Sequence, residues 1–198
     1  MEKTQGKFKL VVDFDNNPES PRMWDNICTF TCWGKYKYVG DKHDMNFDEC
    51  RSITDIKEII EDRHEVLMMK PLYVYDHGGI TISTGEPYDY RNPIRDSSFI
   101  GFVYITKEQW NKICGDMEYD NDRLDKCIEG EVETYDKYWT GMIYKYEIYK
   151  VETCNLGCEH EELVDSCCGY YDEEDCIQEG ISIMDGLYHE EEFRMINS

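Results

Sequence analysis

Phe99-Ile100-Gly101-Phe102-Val103-Tyr104-Ile105 is an apolar run of strand length, followed at once by Thr106-Lys107-Glu108-Gln109. A strand that is apolar at successive positions is covered on both faces, so this run reads as the central strand of a sheet. Thr106 and Gln109 have capping-box spacing and open a short helix that Gly115 closes. Further along, Leu124, Cys127, Ile128, Val132 and Tyr135 mark one face of a helix from about Asp122 to Trp139. Met142, Tyr144, Tyr146 and Ile148 then alternate with Lys145 and Glu147, which predicts a half-buried strand with a bulge near Tyr149 to Val151. Leu163 to Cys168 reads as its antiparallel partner across Cys154 to Glu162, and a last helical stretch covers Met184 to Ile196.

On the N-terminal side, Phe8, Leu10, Val12 and Phe14 alternate with polar residues in another strand, and Pro18 and Pro21 place a loop after it. A strand is expected from Ile27 to Trp33, continuing towards Tyr38 and ending at Gly40-Asp41. Ser52 with Asp55 caps a helix whose apolar positions Ile53, Ile56, Ile59, Ile60 and Leu67 run on until Pro71 stops it. Leu72 to Tyr75 and Ile80 to Ser83 flank Asp76-His77-Gly78-Gly79 as a hairpin, and a polar loop with Pro87 and Pro93 leads back to the central run. The pattern predicts an α+β fold: a mostly antiparallel sheet of about five to seven strands with two or three packed helices. The chain, 1–198, reads as a single domain with an acidic C-terminal part, 150–198.

Composition narrows the function classes. The net charge is -22, and from residue 150 onward only Lys150 and Arg194 are basic. Such a surface repels nucleic-acid phosphates and anionic lipids and attracts basic proteins, which argues against direct nucleic-acid binding. The aromatic content of 14% provides enough buriable surface for a fold despite that charge. No apolar run approaches the roughly 20 residues of a membrane helix, and the start of the chain has no secretory pattern. A cytoplasmic location is therefore expected, with the ten cysteines mostly as thiols.

Several segments together resemble a family of uncharacterised proteins encoded by bacteriophages and other mobile elements of bacteria, especially Gram-positive hosts. They are Ser20-Pro21-Arg22-Met23-Trp24-Asp25-Asn26, Gly40 to Asp44, Leu72 to Thr84, Asp96 to Tyr104, Glu131-Val132-Glu133-Thr134-Tyr135-Asp136 and Val164-Asp165-Ser166-Cys167. After Cys32-Trp33 the family tends to carry a histidine and arginines, where this chain has Gly34, Lys35 and Tyr36. The resemblance implies a phage or mobile-element origin, in a bacterial host cell, and brings no activity with it.

Four constellations bear on chemistry. Asp13-Phe14-Asp15-Asn16-Asn17 sets oxygen side chains at alternate positions, as a divalent cation requires, but lacks the glycine and terminal glutamate of an EF-hand loop. Turn capping by Asx side chains accounts for the same residues. His77, beside Asp76 in the hairpin turn, is an acid/base candidate with His43-Asp44 and Asp96-Ser97-Ser98 as possible neighbours. Asp13, Asp15 and His77 are thus the metal candidates. Cys154, Cys158, His160, Cys167 and Cys168 are soft ligands, though their spacing is not that of a zinc ribbon.

The fourth constellation is the acidic C-terminal part. Duplex DNA carries one negative charge per about 1.7 Å of axis, so a groove built for it also accepts a dense carboxylate surface. This predicts an acidic, phage-encoded interaction protein that inhibits a basic nucleic-acid-handling host protein by DNA mimicry. The partner-binding residues are Glu161, Glu162, Asp172, Glu173, Glu174, Asp175, Glu190, Glu191 and Glu192. The alternatives are a divalent-metal-dependent enzyme, and a nucleotide-signal sponge in which Arg22, Arg91 and Arg95 line a basic pocket.

Overall fold

The computed structural model describes residues 1–47, 50–85 and 97–197. Its eight strands are β1 (Glu2–Gln5), β2 (Phe8–Phe14), β3 (Cys28–Cys32), β4 (Val66–Asp76), β5 (Ile80–Ser83), β6 (Ser97–Thr106), β7 (Tyr144–Thr153) and β8 (Glu159–Tyr170). The helices are α1 (Ile53–Arg63), α2 (Lys107–Cys114), α3 (Asn121–Thr140) and α4 (Glu173–Ile196). The fold is α+β, with the strands shared between two four-stranded antiparallel sheets. The chain, read from sequence as one domain, gathers into two compact units. The terminal unit is Met1–Glu19 with Gly141–Ser198, and the central unit is Ser20–Thr140.

In the central unit the sheet order is β3-β6-β4-β5, so the Phe99–Ile105 run lies between two neighbours as its apolarity predicts. Val103 and Ile105 join a core that includes Leu124, Ile128, Val132 and Tyr135 of α3, and Phe102 and Tyr104 pack with Ile56 and Ile60 of α1. β6 is therefore buried from both sides. The caps read from sequence are present: Ser52 and Asp55 form a reciprocal capping box, and the Thr106 side chain accepts from the Gln109 amide.

In the central unit two boundaries differ from the sequence reading. Helix α1 stops at Arg63, His64 is extended, and Val66 to Lys70 belong to β4. Four large apolar side chains in succession gain more from pairing along β6 than from one face of a helix, where half of them would meet water. Pro71 lies inside β4, in a stretch paired with β6 alone, because β5 joins only from Tyr73 onward. The missing N–H thus falls where no second strand asks for it. Likewise β3 ends at Cys32, and Gly34–Tyr36 form a 3-10 turn that starts at Gly34 with φ of 62°. The expected polar loop with Pro87 and Pro93 lies outside the described residues.

The terminal unit has sheet order β1-β2-β7-β8. Phe8, Leu10, Val12, Tyr144, Tyr146 and Ile148 form its core with Cys176 and Met184 of α4. Helix α4 is longer than its periodicity suggests, because Gly180 and Gly186 interrupt the apolar signal. Gly180 faces the sheet closely: a Cβ there would stand 2.7 Å from Leu10 Cδ1 and 3.3 Å from Tyr146 Cγ.

Candidate functional site

The register of the terminal sheet fixes where the acidic candidates stand. Phe14, Tyr144 and Tyr170 are aligned at one end of the sheet, and Phe8, Lys150 and Glu162 at the other. Helix α4 starts just after Tyr170, and its Glu191 meets Lys150 (3.3 Å) and Lys7 (3.7 Å). The nine predicted partner-binding residues therefore split into two anionic ends. Asp172, Glu173, Glu174 and Asp175 stand at the start of α4, near the aligned β2 and β7 ends, while Glu161, Glu162, Glu190, Glu191 and Glu192 gather at the other end. At 1.5 Å per residue, Glu173 and Glu191 are separated by about 27 Å of helix.

The two ends differ chemically. At the first, Asp172 caps α4 by accepting from the amides of Glu174 (2.9 Å) and Asp175 (3.1 Å). The three acidic residues that follow complement the positive end of the helix dipole. Helix energetics account for all four.

At the second end they do not. Glu190 to Glu192 occupy the penultimate turn, where the dipole offers a carboxylate nothing. Glu191 is half-buried between Lys150 and Lys7, and the Lys150 hydrogen bond above all holds its carboxyl below the ordinary value. Glu190 stands 3.8 Å from Arg194, and Tyr188 donates to Glu192 at 2.6 Å. Both carboxylates remain well exposed. Beside them Phe193 is 71% and Ile196 82% exposed, with Met195 also on the surface. On β8, Lys9 holds Glu161 at 3.0 Å, and Glu162 is exposed in register with Lys150. At the end of α4 the outcome is a surface of mixed glutamate and large apolar side chains, while Glu161 with Lys9 belongs to the opposite face of the sheet. Charge counting found its acidic half. The apolar half was written in Phe193-Arg194-Met195-Ile196, but exposure cannot be read from a stretch that also fits a buried helix.

The metal candidates are divided between the two units. Asp13 and Asp15 belong to the terminal unit and His77 to the central one. Among the described residues no group of three or more His, Cys, Asp or Glu side chains is gathered as a metal ion would require. Asp13 and Asp15 instead cap local backbone, accepting from the amides of Phe14 (2.8 Å) and Asn17 (3.0 Å), as Asx residues do in turns. Asp76, the neighbour of His77, is held by Lys35 (3.0 Å) and Tyr36 (2.9 Å), and Lys35 above all keeps its carboxyl below the ordinary value. Of its suggested neighbours, Asp96 lies outside the described residues.

His43 lines a different feature of the central unit, a polar cleft of about 660 Å³. It is lined by the loop Lys42 to Met45, by Arg63 and His64 at the end of α1, and by Thr29, Tyr104, Thr106, Glu108 and Gln109. His43 Nε2 is 3.1 Å from the Cys32 carbonyl, which can only accept, so Nε2 carries the hydrogen. Arg63 reaches Asp44 at 2.6 Å. Sequence spacing had no means of joining His43 to His64, which come from separate elements.

Arg22 has a structural task. Its guanidinium grips Asp41 through two hydrogen bonds (3.1 and 2.7 Å), donates to Glu131 (3.1 Å) and to the Cys28 carbonyl (2.8 Å), and lies 4.4 Å above the Phe30 ring. Glu131 also accepts from the Ile27 amide (2.6 Å) and Asp41 from the Phe30 amide (2.8 Å). Three of the segments that carried the family resemblance converge here. With its donors spent on two carboxylates, Arg22 offers no positive charge to a nucleotide. Arg91 and Arg95 lie outside the described residues.

Compared with protein-family models, curated proteins and solved structures, the chain matches none. No helix among the described residues is long and apolar enough to cross a membrane.

Proposed function

We propose that this chain is an acidic interaction protein, of bacteriophage or mobile-element origin, that inhibits a basic nucleic-acid-handling host protein by occupying its nucleic-acid surface. The observation that carries the reading is the C-terminal end of α4. There Glu190 and Glu192 stand exposed on the last turns of the helix together with Phe193 and Ile196, and Glu162 of β8 is exposed in register with Lys150, the partner of Glu191. Carboxylates replace phosphates in a cationic groove and release its counterions, so binding is salt-dependent. The apolar side chains add a term that salt does not screen.

The experiment is affinity capture from bacterial lysate followed by competition. A captured basic protein should be displaced by duplex DNA and released by raised salt. It should be lost when Glu161, Glu162, Glu190 and Glu192 are all replaced by lysine. Full retention by that variant sinks the proposal. The four acidic residues at the start of α4 serve as the internal control, because their roles are met within the helix.

A second reading rests on the polar cleft. Its volume is in the range of small-molecule sites, and its lining sets Lys42, Arg63 and the rings of His43 and His64 among Asp44, Glu108 and the hydroxyls of Tyr104 and Thr106. Such a mixed lining suits a small polar ligand with both charged and hydrogen-bonding groups, such as a nucleotide signal. A thermal-shift screen of nucleotides against the parent and a His43→Ala/His64→Ala variant tests it, and no shift with any nucleotide removes it.

A further inference from the structure

The hairpin that joins β7 to β8 closes with Cys154-Asn155-Leu156-Gly157-Cys158. The last ladder pair is Thr153 with Glu159, so Cys154 and Cys158 are the next residues to face each other. The Gly157 amide donates to the Cys154 carbonyl (2.9 Å) and the Cys154 amide to the Cys158 carbonyl (2.8 Å). Gly157 has φ of 81°, which a side chain would disfavour. This is a three-residue hairpin loop whose glycine forms the bulge. Opposed residues in such a hydrogen-bonded pair stand about 5.5 Å apart at Cα and project to one face. That separation is within the span of a disulfide. Cys158 is exposed at the tip.

We propose that Cys154 and Cys158 form a reactive dithiol that closes reversibly to an intramolecular disulfide by exchange with low-molecular-weight disulfides such as oxidised glutathione. Cys154 is the attacking group. The Leu156 amide first, then that of Cys158, points at its sulfur and holds its pKa below the ordinary 9.0, which enriches the nucleophilic thiolate. Its thiolate attacks one sulfur of glutathione disulfide, releasing one glutathione thiolate that takes up the proton Cys154 gave up. A mixed disulfide remains on Cys154. The Cys158 thiolate then attacks the Cys154 sulfur, forming the Cys154–Cys158 bond and expelling the second glutathione. Two cysteine thiols are oxidised, and one small disulfide is reduced to two thiols.

Four of the other cysteines are placed differently. Cys28 and Cys32 are buried, and burial holds their thiols protonated. Cys167 and Cys168 are adjacent residues of β8, whose side chains leave opposite faces of the strand.

The test uses the full reduced chain, incubated with oxidised glutathione, quenched with iodoacetamide and cleaved after glutamate. Cutting at Glu152 and Glu159 isolates both cysteines in the peptide Thr153–Glu159. The expected peptide has lost two hydrogens, takes no iodoacetamide and regains both thiols with dithiothreitol. The Cys158→Ser variant should stop at one glutathione on Cys154. Recovery of the peptide with both thiols alkylated, with a glutathione on each sulfur, or with Cys154 joined to another cysteine overturns the proposal, as does a Cys158→Ser chain that takes up no glutathione.

Discussion

Three carboxylates of the central unit are used inwardly, whereas Glu190 and Glu192 of the terminal unit are displayed. Asp41 and Glu131 each hold an arginine and backbone amides at once, and Asp136 accepts from the Ile82 amide (2.7 Å), tying α3 to β5. In the terminal unit, among the described residues, Glu190 pairs with Arg194 and Glu192 with Tyr188 and His189, neighbours on their own helix that are all exposed or half-buried. The same functional group is a structural cross-link where several donors converge on it, and a solvent-facing charge where they do not. A carboxylate's role is thus decided by the donors around it, and net charge alone says little about either unit.

That contrast can be broken most forcefully at Arg22. Its removal leaves Asp41 and Glu131 half-buried without their cation, and Arg22→Ala should lower unfolding free energy by about 3 kcal/mol in urea denaturation. Arg22→Lys should recover little of this, because an ammonium cannot grip Asp41 through two parallel bonds. A loss within experimental error would show that the central network is no cross-link.

In the terminal unit the largest effect should come from packing. Gly180→Ala forces a methyl against Leu10 and Tyr146 and should cost about 2 kcal/mol by the same assay. The two ends of α4 then sharpen the comparison within one helix. Asp172→Ala removes the cap and should cost about 1 kcal/mol. Glu190→Lys with Glu192→Lys should leave stability within about 0.5 kcal/mol while abolishing partner binding. Destabilisation by the second variant as large as by the first would assign Glu190 and Glu192 to the fold.

The smallest effect concerns pH. Glu191 has its folded pKa depressed below the ordinary 4.5 by Lys150 first and Lys7 after it. Its contribution is present above that ordinary value and disappears as pH falls through the depressed one. The stability difference between the parent and Glu191→Gln should therefore shrink on acidification below pH 4.5. A difference that is constant with pH removes the ion pair as its cause.

Much of the fold was legible because it rests on local chemistry. The caps at Ser52 and Thr106, the turn at Asp76 to Gly79 and the buried face of α3 each depend on residues within a few positions of one another. The candidate site was legible only in part. Charge bias marked the C-terminal quarter, but which carboxylates are spent on a helix cap, which on lysines and which on nothing beyond their own helix follows from pairings such as Phe8 with Lys150. His64 escaped notice for the same reason, as its neighbour in the cleft is His43 from another element.

By itself the sequence determined most of the element types, the central place of β6 and the anionic character of the chain, since periodicity, capping and charge are properties of short windows. Only the tertiary structure decided that the strands divide between two sheets, that Pro71 sits within a strand, and that the acidic residues part into two ends of α4. Those outcomes depend on which distant segments meet. Several registers satisfy the same local pattern, and only the packing of the whole chain selects one.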